Sequence, residues 1–282
     1  MLTTHSVEEL RHAVRGWRAQ GLRIGLVPTM GNLHSGHFSL LDAARRHADR
    51  VVATVFVNPT QFGPNEDFSR YPRTLEDDRK GLEAKGCDLL FAPAVESIYP
   101  FGAAGSVRVE VPLVTEPLEG AMRPGHFAGV ATVVSKLFNL VQPDVAVFGQ
   151  KDFQQLLTIR RLVTDLGFPI DIVAAPTQRE ANGLAMSSRN QYLQPNEREQ
   201  AAAIYRELQK VRAAVHAGVS PELAAASARE NLAAEGFKVD YVSVRRASDL
   251  GEPAGEPPNN LVALVAAKLG TTRLIDNLLL DL

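Results

Sequence analysis

The chain is poor in the residues that would commit it to several classes of function. It has one cysteine, Cys87, in 282 residues, so no internal disulfide can form. The setting Gly86-Cys87-Asp88-Leu89-Leu90-Phe91 marks a small buried residue at a strand start, with no chemistry assigned to it. There is no excess of either charge: 30 Lys and Arg stand against 32 Asp and Glu, a formal net charge of −2, which leaves no basic field for nucleic acid and argues against a tRNA partner. No uninterrupted apolar run reaches membrane-spanning length, and Met1-Leu2-Thr3-Thr4-His5 has neither the basic nor the apolar region of a secretion signal. A cytoplasmic protein without a membrane partner is expected. No two glycines are separated by a single residue, so the Gly-x-Gly-x-x-Gly dinucleotide fingerprint is absent. Gly31 and Gly36 have P-loop spacing, but His37-Phe38 stands where that loop requires Lys followed by Ser or Thr, which excludes a Walker loop.

What is present describes a globular protein, 45% hydrophobic and 22% charged, long enough for two ordinary domains. Ser6-Val7-Glu8-Glu9 reads as a capping box opening a helix. Apolar runs at 22–27, 51–57, 88–92, 145–148 and 170–174 alternate with helical patterns. Continuous apolar strands interleaved with helices predict a Rossmann-like α/β domain, a parallel sheet covered on both faces, with ligands beyond the carboxyl ends of its strands. From Glu197 the pattern changes to amphipathic helices over 198–217 and 221–234, then strand-like runs at 237–245, 261–268 and 272–280. This predicts a smaller α+β unit. The expected division is 1–182 for the nucleotide-binding domain and 183–282 for a C-terminal lid.

The most informative stretch is Pro28-Thr29-Met30-Gly31-Asn32-Leu33-His34-Ser35-Gly36-His37, between the first apolar run and a helix-like segment. A turn leading from a strand to a helix start can offer unpaired main-chain N–H groups to an anion. His34 and His37, three apart, can add imidazole donors toward one triphosphate. A plain helix start with two exposed histidines would carry the same residues, and a structural metal pair lacks a third ligand nearby.

His34-x-Gly36-His37 resembles the adenylate-forming signature of the class I aminoacyl-tRNA synthetase and nucleotidyltransferase superfamily, and the longer run from Pro28 to His37 resembles the pantothenate synthetase family. Phe148-Gly149-Gln150-Lys151-Asp152-Phe153-Gln154-Gln155 is similar to that family's Gly-x-Lys-Asp-x-Gln-Gln. Read from chemistry alone, Gly149 permits close approach of a ligand, Lys151 supplies a point charge suited to phosphate and Asp152 sits at a helix start. Solvent-facing caps at a strand–helix junction would look alike. Met186-Ser187-Ser188-Arg189, on a loop that follows Gly183, resembles the mobile second signature of the superfamily, and could equally be an interdomain linker.

The resemblance implies ATP-dependent condensation of pantoate with β-alanine, through a pantoyl-adenylate, by a homodimer. It implies ATP contacts at Met30, Gly31, Asn32, Leu33, His34, Ser35, Gly36, His37, Gly149, Gln150, Lys151, Asp152, Gln178, Met186, Ser187, Ser188 and Arg189, with His34, His37 and Lys151 catalytic. Pantoate falls to Gln61 and Gln155, with Asn58 and Tyr71 around the pocket. Arg123, which with His126 stands at a further helix start, is a candidate anion ligand or a subunit contact. Mg2+ is expected mainly on the ATP phosphates. No protein ligand is assigned to it; in the acidic run Glu76-Asp77-Asp78, which reads as an exposed helix face, only the two aspartates are weak candidates. Two residues depart from the family pattern: Asn182 where Asp is common, and Gln178 where an aliphatic residue is usual. The alternatives are a nucleotidyltransferase acting on a phosphorylated small molecule, which would share the His-x-Gly-His turn, and an adenine-nucleotide sensor without turnover.

Overall fold

Leu2–Thr4 (β1), which sequence pattern alone does not mark, pairs in parallel with the strand at Leu89–Phe91. It is the edge of a six-stranded sheet in a computed structural model that describes residues 1–64, 66 and 68–281. Ser6 then caps helix α1 (Val7–Ala19) by accepting the main-chain N–H of Glu8 and Glu9. The reciprocal half of the expected capping box is replaced, because the Glu9 carboxylate accepts from Thr4 Oγ1 at 2.5 Å. The chain continues through β2 (Ile24–Thr29), α2 (Ser35–Arg45), β3 (Arg50–Val55), α3 (Leu75–Ala84), β4 (Leu89–Phe91), short helices α4 (Val95–Ile98) and α5 (Glu119–Met122), α6 (His126–Val141), β5 (Val145–Gly149), α7 (Phe153–Leu166) and β6 (Asp171–Ala175).

The strand order is β1-β4-β3-β2-β5-β6, parallel throughout. Successive strand residues enter opposite cores. Leu26, Val52, Leu89, Phe91, Ala146 and Phe148 pack with Leu10, Val130, Phe138 and Ile159 on one face. Val27, Val51, Ala53, Leu90 and Val147 pack with Leu40, Leu41 and Leu82 on the other. Burial on both faces explains why these strands read as apolar runs.

The order of strands reverses about β2, which sets a crevice at its carboxyl end. β2 pairs with β3 over six residues but with β5 only through Gly25 and Leu26. Ile24 bonds toward the β5 side and Thr29 toward the β3 side, so alternation turns Pro28 to the β5 side, past the last paired residue. A proline inside an interior strand costs no ladder bond there.

The chain divides into two compact units: Met1–Gln150 with Gln154–Pro176, and Lys151–Phe153 with Thr177–Leu282. The sequence expectation put the change at Asn182/Gly183. Residues 177–182 belong with the C-terminal unit because Arg179 bonds the Asp276 carboxylate bidentately at 2.6 and 3.0 Å and pairs with Ala185. In that unit α8 (Pro195–Ala201), α9 (Ala203–His216) and α10 (Pro221–Ala234) precede an antiparallel sheet of β7 (Lys238–Arg246), β8 (Leu261–Leu269) and β9 (Thr272–Leu279). The single helix expected over 198–217 is interrupted at Ala202, where α8 ends and α9 begins. Leu208, Val211, Leu232, Val244, Val265 and Leu274 form the unit's own core. No described helix is long and apolar enough to cross a membrane.

Candidate active site

The turn after β2 is held from within and from α3. Gly31 takes φ +84°, and a Cβ on it would stand 2.9 Å from Asp78 Oδ2, so glycine meets both the left-handed backbone and the close approach. Asp78, 3% exposed, accepts Asn32 N–H at 3.0 Å, Leu33 N–H at 2.7 Å and Thr74 Oγ1 at 3.3 Å. Its weak candidacy as a magnesium ligand is thereby replaced by a scaffolding role, since both carboxylate oxygens are bonded to the turn. Sequence reasoning missed that role, which no local spacing signals.

His34 and His37 form a capping box from two imidazoles. His34 is the N-cap of α2 and its Nδ1 accepts from Gly36 N–H at 3.1 Å, while His37 Nδ1 accepts from His34 N–H at 3.3 Å; the rings lie 4.1 Å apart. An accepting Nδ1 carries no hydrogen, so each neutral ring holds its proton on Nε2. The N–H groups of Gly31, Asn32, Leu33, His34, Gly36 and His37 are all bonded within this assembly. The expected anion site of unpaired main-chain amides is therefore corrected. The turn sets its two imidazoles beside the positive end of an eleven-residue helix with no acidic residue in its first turn.

Asn58 follows β3 and is 1% exposed. Its Oδ1 accepts from Tyr99 Oη at 2.7 Å and Thr60 Oγ1 at 3.0 Å, and its Nδ2 donates to Gln61 Oε1 and Gly129 O, both at 3.1 Å. Asn58 is thus engaged in holding Gln61 and not available to a ligand. Gln61 Nε2 comes 3.0 Å from Met30 Sδ, which joins the turns after β2 and β3. Tyr71, 6% exposed, packs edge-on against Phe62 at 5.8 Å.

Arg123 and His126 do not form the anion site their sequence positions suggested. The Arg123 guanidinium bonds both oxygens of Glu66, at 2.7 and 2.6 Å, and Nη1 donates to His126 Nε2 at 3.1 Å. His126 Nδ1 donates in turn to Gln61 O at 2.8 Å. Burial, seconded by the Arg123 charge, pushes the His126 pKa down to about 4, so the ring is neutral at physiological pH. Burial acts to raise Glu66, but hydrogen bonding and charge from Arg123 prevail and hold it below the usual carboxylate range.

Gln154 and Gln155, adjacent at the start of α7, have different environments. Gln154 is buried; its Nε2 donates to Val114 O and Pro117 O, and its Oε1 accepts Glu119 N–H. The Gln155 side chain is half-buried and bonds to no described residue. Gly149 and Gln150 end β5 and begin a 3-10 turn that runs through Lys151 and Asp152. Asp152 is exposed.

In the C-terminal unit the main-chain oxygen of Lys151 accepts from Asn277 Nδ2 at 2.8 Å, and its positive charge acts on the buried Asp276 carboxylate. Gln178 O accepts Met186 N–H at 2.9 Å, so the main chain of that family-atypical position is engaged in a turn closed by Gly183 at φ +97°. The Asn182 side chain accepts Leu184 N–H at 3.1 Å inside it, a bond that Asp would also make. Ser187 caps the 3-10 turn Ser188–Tyr192 by accepting Arg189 N–H at 3.2 Å. Cys87 is buried, its thiol pushed up to about 11 by that burial, which leaves it inert as a nucleophile.

Residues 2–279 match the family model of pantoate–β-alanine ligase. The chain belongs to the pantoate–β-alanine ligase family. It is 57% identical over 282 residues to the pantothenate synthetase of Chromohalobacter salexigens, covering 100% of this chain and 99% of the relative. It is 59% identical over 277 residues to that of Xylella fastidiosa, covering 98% of each. Among solved structures it is similar to the Thermus thermophilus pantothenate synthetase, with a TM-score of 0.91, 48% identity and 99% of each chain covered. It is also similar to the Francisella tularensis pantoate–β-alanine ligase complexed with β,γ-ATP and β-alanine, with a TM-score of 0.84, 34% identity and coverage of 99% and 98%. The ligase reading and the Rossmann-like domain with its smaller α+β unit both stand on these likenesses.

Proposed function

We propose that this ligase joins pantoate to β-alanine in two steps through a pantoyl-adenylate. A pantoate carboxylate oxygen attacks the α-phosphorus of ATP, the α–β phosphoanhydride bond breaks, and pyrophosphate leaves with the electron pair. The β-alanine nitrogen then attacks the acyl carbon, a C–N bond replaces the C–O bond, AMP departs and the nitrogen loses its proton. Such displacements require charge stabilisation more than a protein nucleophile.

The observation that carries this assignment is the reciprocal histidine cap. It supports two neutral Nε2–H donors at the end of β2, fixed by their own helix start. Lys151, Ser187, Ser188 and Arg189 are assigned to the ATP phosphates by resemblance, and Gln61 and Gln155 to pantoate. The half-satisfied amide of Gln61 and the unbonded one of Gln155 support the latter. Among the described residues no group of three or more His, Cys, Asp or Glu could hold a metal. Magnesium is assigned to the ATP phosphates by resemblance, and no side chain is assigned to it. When bound, the ion supplies charge neutralisation on the phosphates.

Dimerisation through the stretch 101–122 belongs to the same proposal, supported by exposed Phe101, Val107, Leu113 and Met122. The cytoplasm is the proposed compartment, supported by the lone buried Cys87. Product analysis tests the reading. AMP and pyrophosphate should accumulate over many turnovers in equal amounts with pantothenate, and such turnover should require ATP, pantoate and β-alanine together. Transfer of an adenylyl group onto a phosphorylated acceptor would contradict it.

A further inference from the structure

Helix α6 begins with two features that nothing in substrate chemistry requires. His126, within its first turn, points both ring nitrogens into the protein: Nε2 accepts from Arg123 at 3.1 Å and Nδ1 donates to the main-chain oxygen of Gln61 at 2.8 Å. One turn on, Gly129 lies against the same segment. A Cβ there would stand 2.4 Å from Thr60 O and 2.7 Å from Gln61 Cα, and its own carbonyl accepts from Asn58 Nδ2. The segment Asn58–Gln61 is therefore pinned to α6 at three points: a carbonyl, an amide and a van der Waals contact that only glycine permits.

The orientation of the ring is also set. Arg123 has no acceptor capacity, so the nitrogen facing it must be the acceptor of a neutral imidazole, and the other must carry the hydrogen. Glu66 anchors the guanidinium from the opposite side through two bonds. The result is a chain of directed bonds, Glu66 to Arg123 to His126 to the Gln61 carbonyl, that ends on a residue whose side chain is only partly satisfied within the protein.

We propose that His126 is a positioning residue for pantoate: by donating to the Gln61 carbonyl it fixes where the Gln61 amide stands, and the start of α6 is the backboard of the pantoate pocket. The proposal rests on the assignment of Gln61 to pantoate. A ring in the wrong tautomer would set a lone pair against the carbonyl, and Arg123 prevents this. The role differs from general acid–base chemistry, for which both nitrogens are already engaged.

The experiment measures steady-state KM for pantoate and for ATP, together with thermal melting, in His126→Leu, His126→Asn, Gln61→Ala and the double variant. His126→Leu should raise the KM for pantoate about tenfold, as loss of one positioning hydrogen bond commonly does, and leave the KM for ATP unchanged. His126→Asn, whose amide can donate from near the Nδ1 position, should restore most of the loss. In the Gln61→Ala background the leucine substitution should change the KM for pantoate no further, because its effect passes through that amide. If Gln61→Ala weakens pantoate and folded His126→Leu does not, or if the two effects add, the positioning role is overturned while the pocket assignment survives. If Gln61→Ala leaves pantoate unaffected, the pocket assignment fails and the positioning role with it. Should the leucine variant not fold, Gly129→Ala decides in its place. A raised KM for pantoate alone supports the backboard, and an unchanged one overturns it.

Discussion

Asp78 Oδ1 accepts the main-chain N–H of Leu33 at 2.7 Å, tying helix α3 to the turn that carries both histidines. Its other oxygen takes Asn32 N–H, so one buried carboxylate fixes two successive amides of the turn. Asp78→Asn has one acceptor oxygen where two are needed, and leaves a donor amide facing an N–H. It should cost about 1–3 kcal/mol of stability and lower adenylation with a raised KM for ATP. Chemical unfolding alongside initial rates checks this; a variant as stable and active as the native chain would remove Asp78 from the scaffold.

Replacing His37 by Ala removes one Nε2–H donor and the acceptor for His34 N–H. Adenylation turnover should fall about 100-fold to 1,000-fold, the usual cost of one transition-state donor. The melting temperature should move far less. Native-like turnover in the folded variant would exclude the residue from the reaction.

The neighbours Gln154 and Gln155 should separate cleanly. Gln154→Ala abandons Val114 O, Pro117 O and Glu119 N–H in a buried setting and should destabilise by about 2–4 kcal/mol. Gln155→Ala should leave melting unchanged and weaken pantoate. Equal melting of the two variants would contradict the division.

His126 gives the protein a pH dependence of known sign. Its folded pKa of about 4 lies below the ordinary 6.5, so the unfolded chain binds the proton more tightly and the folded state is favoured at higher pH. The stability linked to it is fully present above pH 6.5, falls as pH drops toward 4, and amounts to roughly 3 kcal/mol across that window. The charges facing the ring are Arg123, Glu66 and Glu119, and Glu66 is itself held below the usual carboxylate range by Arg123. Unfolding free energies measured from pH 7 to 4 should fall more steeply for the native chain than for His126→Asn. Parallel slopes would contradict a buried neutral ring.

The parallel sheet and the two histidines were legible in the sequence because strands buried on both faces and a turn of fixed spacing leave local traces. β1 left none, being three residues at an edge that acquires its identity only from pairing with β4. The fates of Asn58, Asp78 and Arg123 were also illegible. Each meets partners far along the chain, Gly129, Leu33 and Glu66 respectively, and whether a polar side chain serves a ligand or the fold is decided by those distant groups. Asn182 is informative in the opposite sense. It stands where Asp is common in the family, and its Oδ1 accepts the main-chain N–H of Leu184, a bond that a carboxylate oxygen would also make.

The central claim is a bound acyl-adenylate formed before the amine arrives, and exchange of labelled pyrophosphate into ATP tests it most directly. Cys87 is buried with its thiol pushed up to about 11, so the thiol does not compete as a covalent acceptor. The account predicts rapid exchange with pantoate present and β-alanine absent, slowed about 100-fold or more in His37→Ala. Exchange that occurs only when β-alanine is added would contradict it.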